Sequence, residues 1–383
     1  MAVVGIICEY DPFHRGHAHQ FDLIRQKLPN AHIVCLMSGC FTQRGMPAVH
    51  LPRFRAEAAL KAGADLVLEL PCAFAVRDAE HFALGGVEIF TKLGFITHLS
   101  FGAEDDPAAL IQAAHLMESP SPEYTAALKA SLNRGNPFAA AQGEALDACL
   151  GQSEAWSRPN NILALCYLRA LERIQSSLLP LTVQREGDYH AQTLGQNAWP
   201  SATAVRTAFW NGNSQAAEEA CGYPLPSTPV CRPDALDLLL LHRLRTADAA
   251  ALRRLPDCSE GLENRLKACA AQAASREQLL ELLKTRRYAR ARLSRLCAHA
   301  LLEMDAALLH EAHPSYVRLL GFRRSCANLM AGLKTSALPV ISKAADGCVD
   351  DPLYQLDVRA YDLWALGAGL SSGLLFRQGI AVV

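Results

Sequence analysis

Net charge is almost absent from this 383-residue sequence: 37 lysines and arginines face 38 aspartates and glutamates, a formal charge of −1. No chain-wide field draws it to nucleic acid or to an anionic membrane, so any polyanion site has to be local. Long apolar runs are missing too. Ile162 to Leu168 and Leu363 to Leu370 are among the longest, less than half of the roughly 18 residues a membrane span needs, and no membrane partner is expected. Disulfide and zinc frameworks lack their signature, because the thirteen cysteines are odd in number and scattered, form no Cys-x-x-Cys pair, and approach most closely at Cys35 and Cys40. The opening apolar run, Met1 to Cys8, has no positive flank and meets Glu9 and Asp11 at once. It does not read as a signal peptide, and reduced thiols in a cytoplasm are the economical expectation. Repeats and low-complexity tracts are also lacking.

What is present is apolar mass. Half of the residues are hydrophobic and 20% are charged, enough to build a core, over a length that exceeds one ordinary domain of roughly 100–200 residues. The first hundred residues alternate short β-type runs with amphipathic stretches, the pattern of βαβ units and a parallel sheet. Strands are expected at Val3–Cys8, His32–Met37, Asp65–Glu69 and Thr97–Phe101, with Leu181–Arg185 as a fifth. Helical spacing occupies Gly16–Gln26, Arg55–Ala62, Arg77–Leu93 and Ser201–Trp210. Four prolines within Gly222–Pro233 suit a linker or a domain edge. The division expected there gives an α/β catalytic domain over 1–222 and a mainly helical domain over 223–383, the latter including a small βαβ element from Tyr316 to Ser342.

The segment Gly5-Ile6-Ile7-Cys8-Glu9-Tyr10-Asp11-Pro12-Phe13-His14-Arg15-Gly16-His17 runs from buried strand through turn to helix. A ligand at the carboxyl end of a parallel strand, facing a helix N-terminus, meets free backbone N–H groups and the positive end of the helix dipole. That makes a candidate phosphate site. His14 and His17 stand three apart across Gly16, and imidazoles there can donate to phosphate oxygens and stabilise charge growing on phosphorus. The same spacing also fits a pair of surface histidines. A zinc reading would use His14, His17 and His19 with Glu9 and Cys8, yet the spacing is not the i, i+4 spacing of a helical zinc motif.

His14-x-Gly16-His17 after a first strand resembles the HIGH-type nucleotidyltransferase superfamily, and the longer string Glu9-Tyr10-Asp11-Pro12-Phe13-His14-x-Gly16-His17 resembles the bacterial tRNA(Met) cytidine acetate ligase family. The likeness continues in order through Met37-Ser38-Gly39-Cys40-Phe41-x-Gln43-Arg44-Gly45-x-Pro47-Ala48, Gly63 to Pro71, Ser100-Phe101-Gly102-Ala103-Glu104, Pro159-Asn160-Asn161, Arg185 and Ser201 to Arg206. It departs at Asp11 and Cys40, where family members usually carry asparagine, and at Leu51-Pro52-Arg53.

The resemblance implies a parallel-sheet, Rossmann-like catalytic domain with a helical tRNA-binding domain. It implies ATP contacts from Ile7, Cys8, Glu9, Tyr10, Asp11, Pro12, Phe13, His14, Arg15, Gly16, His17, Ala18, His19 and Gln20, then from Gly102, one of Asn160 and Asn161, and Arg185. Ser201 and Thr203, with Arg206, would hold the outer phosphates. His14, His17 and Arg206 would be catalytic. Acetate would attack the α-phosphorus of ATP, and the acetyl group would pass to N4 of the wobble cytidine of elongator tRNA(Met). Mg²⁺ is expected with ATP on chemical grounds.

Between Lys284 and Lys334 the chain carries ten Lys+Arg against three Asp+Glu. Such a patch can neutralise RNA phosphates, which makes Arg286, Arg287, Arg290, Arg292 and Arg295 candidate tRNA contacts and Tyr288 a candidate base-stacking ring. A solvated helix face is the plainer alternative. Two other functions fit part of the pattern: a nucleotidyltransferase that adenylylates a small phosphorylated cofactor precursor, and a nucleotide-sensing RNA-binding protein without catalysis.

Overall fold

Val3–Cys8 (β1) and His32–Ser38 (β2) are continuous apolar runs of the kind that parallel strands buried on both faces require. In the computed structural model, which describes residues 1–152, 154–184, 193–194, 199–259, 261–285 and 288–383, they lie side by side. Leu66–Leu70 (β3), His98–Ala103 (β4) and Leu179–Gln184 (β5) complete the parallel set. Expected and observed strand ends agree to within two residues.

Side chains alternate across the sheet. Val3 and Ile7 of β1, with Val34 and Leu36 of β2, face a core completed by the Ala79–Leu93, Pro159–Arg173 and Pro352–Gly367 helices. Val4, Ile6, Ile33 and Cys35 face the other way, onto Phe21 and Ile24 of the Arg15–Lys27 helix and Ala56 and Leu60 of the Pro52–Lys61 helix. The strand order β5-β4-β1-β2-β3 reverses direction at β1. Ligands of open α/β sheets bind at such a reversal, beyond the carboxyl ends of the strands.

Two features bear on the expected division near residue 222. Leucines 240, 244, 266, 280 and 296, contributed by helices between Asp237 and Leu302, form a separate cluster. The chain then returns to the sheet: Val317–Phe322 (β6) pairs antiparallel with β3, and Val340–Ile341 (β7) and Ala381–Val382 (β8) pair in parallel with β6. β6, the Ala327–Lys334 helix and β7 form the small βαβ element read from the sequence. Its insertion into the main sheet was not anticipated, because it depends on partners about 250 residues apart. The Pro-rich stretch is no free linker either: Cys231 N–H donates to Val49 O at 3.0 Å, and the Pro226 carbonyl lies 3.0 Å from His50 Nε2.

Candidate active site

Beyond Cys8 the backbone turns through Tyr10, which takes a left-handed φ of 48°. Phe13 pins the turn by packing its buried ring edge-on to Tyr10, 4.9 Å between centroids, and against Phe21 at 5.7 Å. The Arg15–Lys27 helix starts at once. The His14 backbone N–H donates to Nδ1 of His17 at 3.2 Å, and the two imidazoles stack with centroids 3.7 Å apart and planes inclined by 19°. Accepting at Nδ1 leaves the proton of a neutral His17 ring on Nε2.

His17 forms part of the wall of a cavity of about 440 Å³ at the carboxyl ends of β1, β2 and β4. On the β4 side the wall is Ser100, Phe101 and Gly102 with Pro159, Asn160, Ile162, Leu163 and Tyr167. The middle is Ile7, Cys8, Glu9, Tyr10, Asp11, His17 and Gln20 with Ala202, Thr203 and Arg206. On the β2 side stand Thr42, Gln43, Arg44, Met46, Pro47, Val49, Cys231 and Pro233. Two helix N-termini, those of Arg15–Lys27 and Ala202–Trp210, therefore contribute to one cavity.

Arg206 extends Nη1 to the Asp11 carbonyl at 2.5 Å and Nη2 to Thr203 Oγ1 at 3.2 Å. The Asp11 carboxylate accepts the Val49 N–H at 2.8 Å, a bond an asparagine Oδ1 would accept equally, and lies 3.7 Å from Arg206 Nη1. Glu9 accepts the Gln43 N–H at 2.5 Å, and burial raises its carboxyl above the ordinary value. Beneath them lies Arg55, fully buried, whose guanidinium donates to the carbonyls of Glu9 (2.5 Å), Ser38 (3.1 Å), Gly39 and His50 (3.1 Å). One side chain thus holds the ends of β1 and β2 and the loop before the next helix. The sequence reading missed Arg55, and nothing in Phe54-Arg55-Ala56 signals it.

Seven of the fourteen residues from Ile7 to Gln20 line the cavity, and seven do not. Pro12, Phe13 and His14 in the turn do not line it, nor do Arg15, Gly16, Ala18 and His19, because the helix turns only one side inward. His14 lies behind His17, and His19 stacks on Trp199 at 4.1 Å. Asn160 lines the cavity, where its amide donates to Glu104. Asn161 is buried away from it, accepting the Glu104 N–H at 2.9 Å and donating to Asp105 at 2.5 Å and to the Ala155 carbonyl at 3.0 Å. Ser201 caps its helix by accepting the Ala204 N–H at 3.0 Å, and Ala202 and Thr203 take the cavity-facing positions. Arg185 lies outside the described residues.

The arginines singled out for tRNA are occupied in several ways. Arg290 pairs with Glu277 and with Glu281 at 2.5 Å. Arg292 donates to the Asp257 carbonyl at 2.8 Å and Ser259 Oγ at 2.9 Å, and lies over the Tyr288 ring at 5.2 Å. Arg295 is buried and pairs with Asp257 at 3.3 Å. Tyr288 is buried as well, so its ring is not presented to a base as the sequence suggested. Arg286 and Arg287 fall outside the described residues.

Among the described residues, the group of three His, Cys, Asp or Glu side chains close enough to share a cation is His32, Asp65 and Cys326. It sits at the opposite, N-terminal ends of β2 and β3, with Arg25 and Arg323 each 3.5 Å from the Asp65 carboxylate. No helix among the described residues is long and apolar enough to cross a membrane.

A family model described as HIGH nucleotidyl transferase matches residues 1–372. The tRNA(Met) cytidine acetate ligase of Syntrophomonas wolfei is 34% identical over 397 residues, spanning 96% of this chain and 95% of its own. That of Acetivibrio thermocellus is 32% identical over the whole of both chains. The crystal structure of Thermotoga maritima TmcAL bound with alpha-thio ATP superposes with a TM-score of 0.89 at 27% identity, covering all of both chains.

Proposed function

This chain belongs to the HIGH nucleotidyl transferase family and, within it, to the tRNA(Met) cytidine acetate ligases, and from that premise we propose how its cavity carries out the reaction. ATP occupies the space beyond β1 and β4. Its adenosine lies against Phe101, Gly102, Leu163 and Tyr167, with Asn160 at the edge, and its phosphates reach toward the Arg15–Lys27 and Ala202–Trp210 helix N-termini. A carboxylate oxygen of acetate bonds to the α-phosphorus, and the bond from that phosphorus to the bridging oxygen breaks, releasing pyrophosphate and leaving acetyl-adenylate. The N4 amine of the wobble cytidine of elongator tRNA(Met) then bonds to the acyl carbon, loses a proton, and displaces AMP.

The observation that carries this reading is the orientation of His17. His17 lines the cavity, and with Nδ1 accepting the His14 N–H the proton of its neutral ring is on Nε2, which donates to charge building on the α-phosphate oxygens, a task typically worth 10²–10³-fold in rate. Arg206 supplies a second donor from the facing helix. His14 serves by stacking on His17, a positioning role.

Mg²⁺ would enter as a companion of ATP, held largely by phosphate oxygens and water. Glu9 and Asp11 are engaged with the backbone N–H groups of Gln43 and Val49, and no step depends on a protein-bound ion. The helical part of residues 223–383 receives tRNA through Arg286, Arg287, Arg290 and Arg292, and Arg295 braces Asp257 from within. Residues 1–222 supply most of the cavity wall, joined by Cys231 and Pro233. The enzyme acts in the cytoplasm, with its tRNA substrate.

The test is pyrophosphate release from ATP with acetate and tRNA each present or omitted. Acetate-dependent release is expected. Release that ignores acetate, or fails altogether, would overturn the proposal.

A further inference from the structure

The ATP placement proposed above leaves part of the β2 side of the cavity unused. Adenosine and phosphates account for the β4 side and the middle, and what remains beyond Asp11 is a corner walled by Met46, Pro47, Val49, Cys231 and Pro233. We propose that Val49 and Cys231 in this corner seat the methyl group of acetate and that their bulk limits the accepted acid to two carbons. The inference rests on the function proposed above and names the part of the cavity that selects the acid.

Position supports it first. The Val49 N–H donates to the Asp11 carboxylate, the Val49 carbonyl accepts the Cys231 N–H, and the Asp11 carbonyl accepts Arg206. The apolar pair is therefore tied through Asp11 to the guanidinium that faces the phosphates. An acid whose methyl rests on Val49 and Cys231 directs its carboxylate back toward that middle region.

Rigidity supports it next. Size selection requires walls that cannot yield. Trp364, fully buried, donates its indole N–H to the Ala48 carbonyl at 2.6 Å and fixes the loop from behind. A methyl group placed on Gly367 would stand 2.6 Å from Cys231 Sγ, so the sulfur has no slack at its back. Burial, with Asp11 adding to it, pushes the Cys231 thiol up to about 12. It stays neutral and acts as wall rather than nucleophile.

The test is ATP–pyrophosphate exchange by the full-length enzyme with acetate and with propionate as the acid. Room for one methylene changes selectivity by about 10–200-fold. Val49→Ala and Cys231→Ala should each raise the propionate-to-acetate ratio of kcat/KM by about tenfold or more. Val49→Ile should raise KM for acetate while KM for ATP moves little, a split that general damage to the fold would not produce. An unchanged acid ratio in both alanine variants, each still active with acetate, would overturn the inference. So would a Cys231→Ala enzyme that exchanges pyrophosphate normally but no longer acetylates tRNA, since the sulfur would then be an acyl carrier. Absence of acetate-dependent exchange in the unaltered enzyme would instead overturn the function on which the inference rests.

Discussion

Gly45 lies so close to Ser294 that a methyl group added to it would stand 2.8 Å from the Ser294 carbonyl oxygen. The glycine has a left-handed φ of 73°, and the Ser294 hydroxyl donates to the neighbouring Arg44 carbonyl while accepting from Arg276 at 2.6 Å. Through this contact the Arg290–Leu302 helix supports the loop that carries Thr42, Gln43 and Arg44 into the cavity.

Gly45→Ala should therefore injure catalysis beyond its cost in stability. An L-residue at positive φ is strained, and here the added methyl also pushes the loop off its support. Acetate-dependent pyrophosphate release is expected to fall by about tenfold or more. Gly135→Ala is the control, with a φ of 84° and nothing within 4 Å of the added methyl. It should lower the melting temperature and leave the rate near that of the parent. Equal rates in the two variants would dismiss the loop support.

His17→Ala should reduce pyrophosphate release by about 10²-fold or more with the fold retained, because it removes an imidazole of the cavity wall that the proposed mechanism uses as donor. His14→Ala should lose less, since His14 acts by stacking on His17. Steady-state kinetics with circular dichroism as a fold check decides this. Full activity in His17→Ala would remove the histidine pair from the mechanism.

Stability should fall as pH rises from about 4 to about 7, through Asp357. Burial, reinforced by the nearby Glu69 carboxylate, lifts the Asp357 carboxyl to about 7, while in the unfolded chain it titrates near 3.9. Between those values the folded chain keeps a proton that the unfolded chain has lost, so rising pH favours unfolding until the folded carboxyl has also ionised. Asp357→Asn keeps the shape that accepts the Cys72 N–H at 2.7 Å and should flatten this decline in denaturant midpoints measured against pH. A decline of the same size in the variant would assign it to other groups.

For tRNA, Arg287→Ala and Arg290→Ala should each weaken binding and reduce the slope of log affinity against log salt by about one. Arg295→Ala should behave differently, lowering the melting temperature while leaving the slope unchanged, because its guanidinium is buried against Asp257. Unchanged affinity in the first two would reassign the basic segment to solubility.

The parts legible in the sequence were those set by local pattern. A continuous apolar run followed by turn residues and an amphipathic helix made β1, the turn and His17 readable in the chain itself. Asn160 and Asn161 shared one local pattern, and only the burial of Asn161 against Asp105 and Ala155 separates the two. The Pro-rich segment read as a linker or a domain edge because composition shows where a chain bends, not what it bends toward; Cys231 bends back onto Val49, which excludes a free linker. The basic run was over-read at Tyr288 and Arg295, both buried, for a similar reason. The fates of Arg292 and Arg295 were set by Asp257, more than 30 residues away, and that of Arg290 by glutamates on the preceding helix. Arg55 carried no sign, because its role is fixed by four carbonyls that meet only after folding.

The most direct measurement is a crystal structure of this protein with a hydrolysis-resistant ATP analogue. The account predicts adenine against Tyr167 and Gly102, and an α-phosphate oxygen within hydrogen-bonding reach, about 2.7–3.2 Å, of His17 Nε2. A nucleotide bound elsewhere, with the turn between β1 and the Arg15–Lys27 helix left empty, would contradict it.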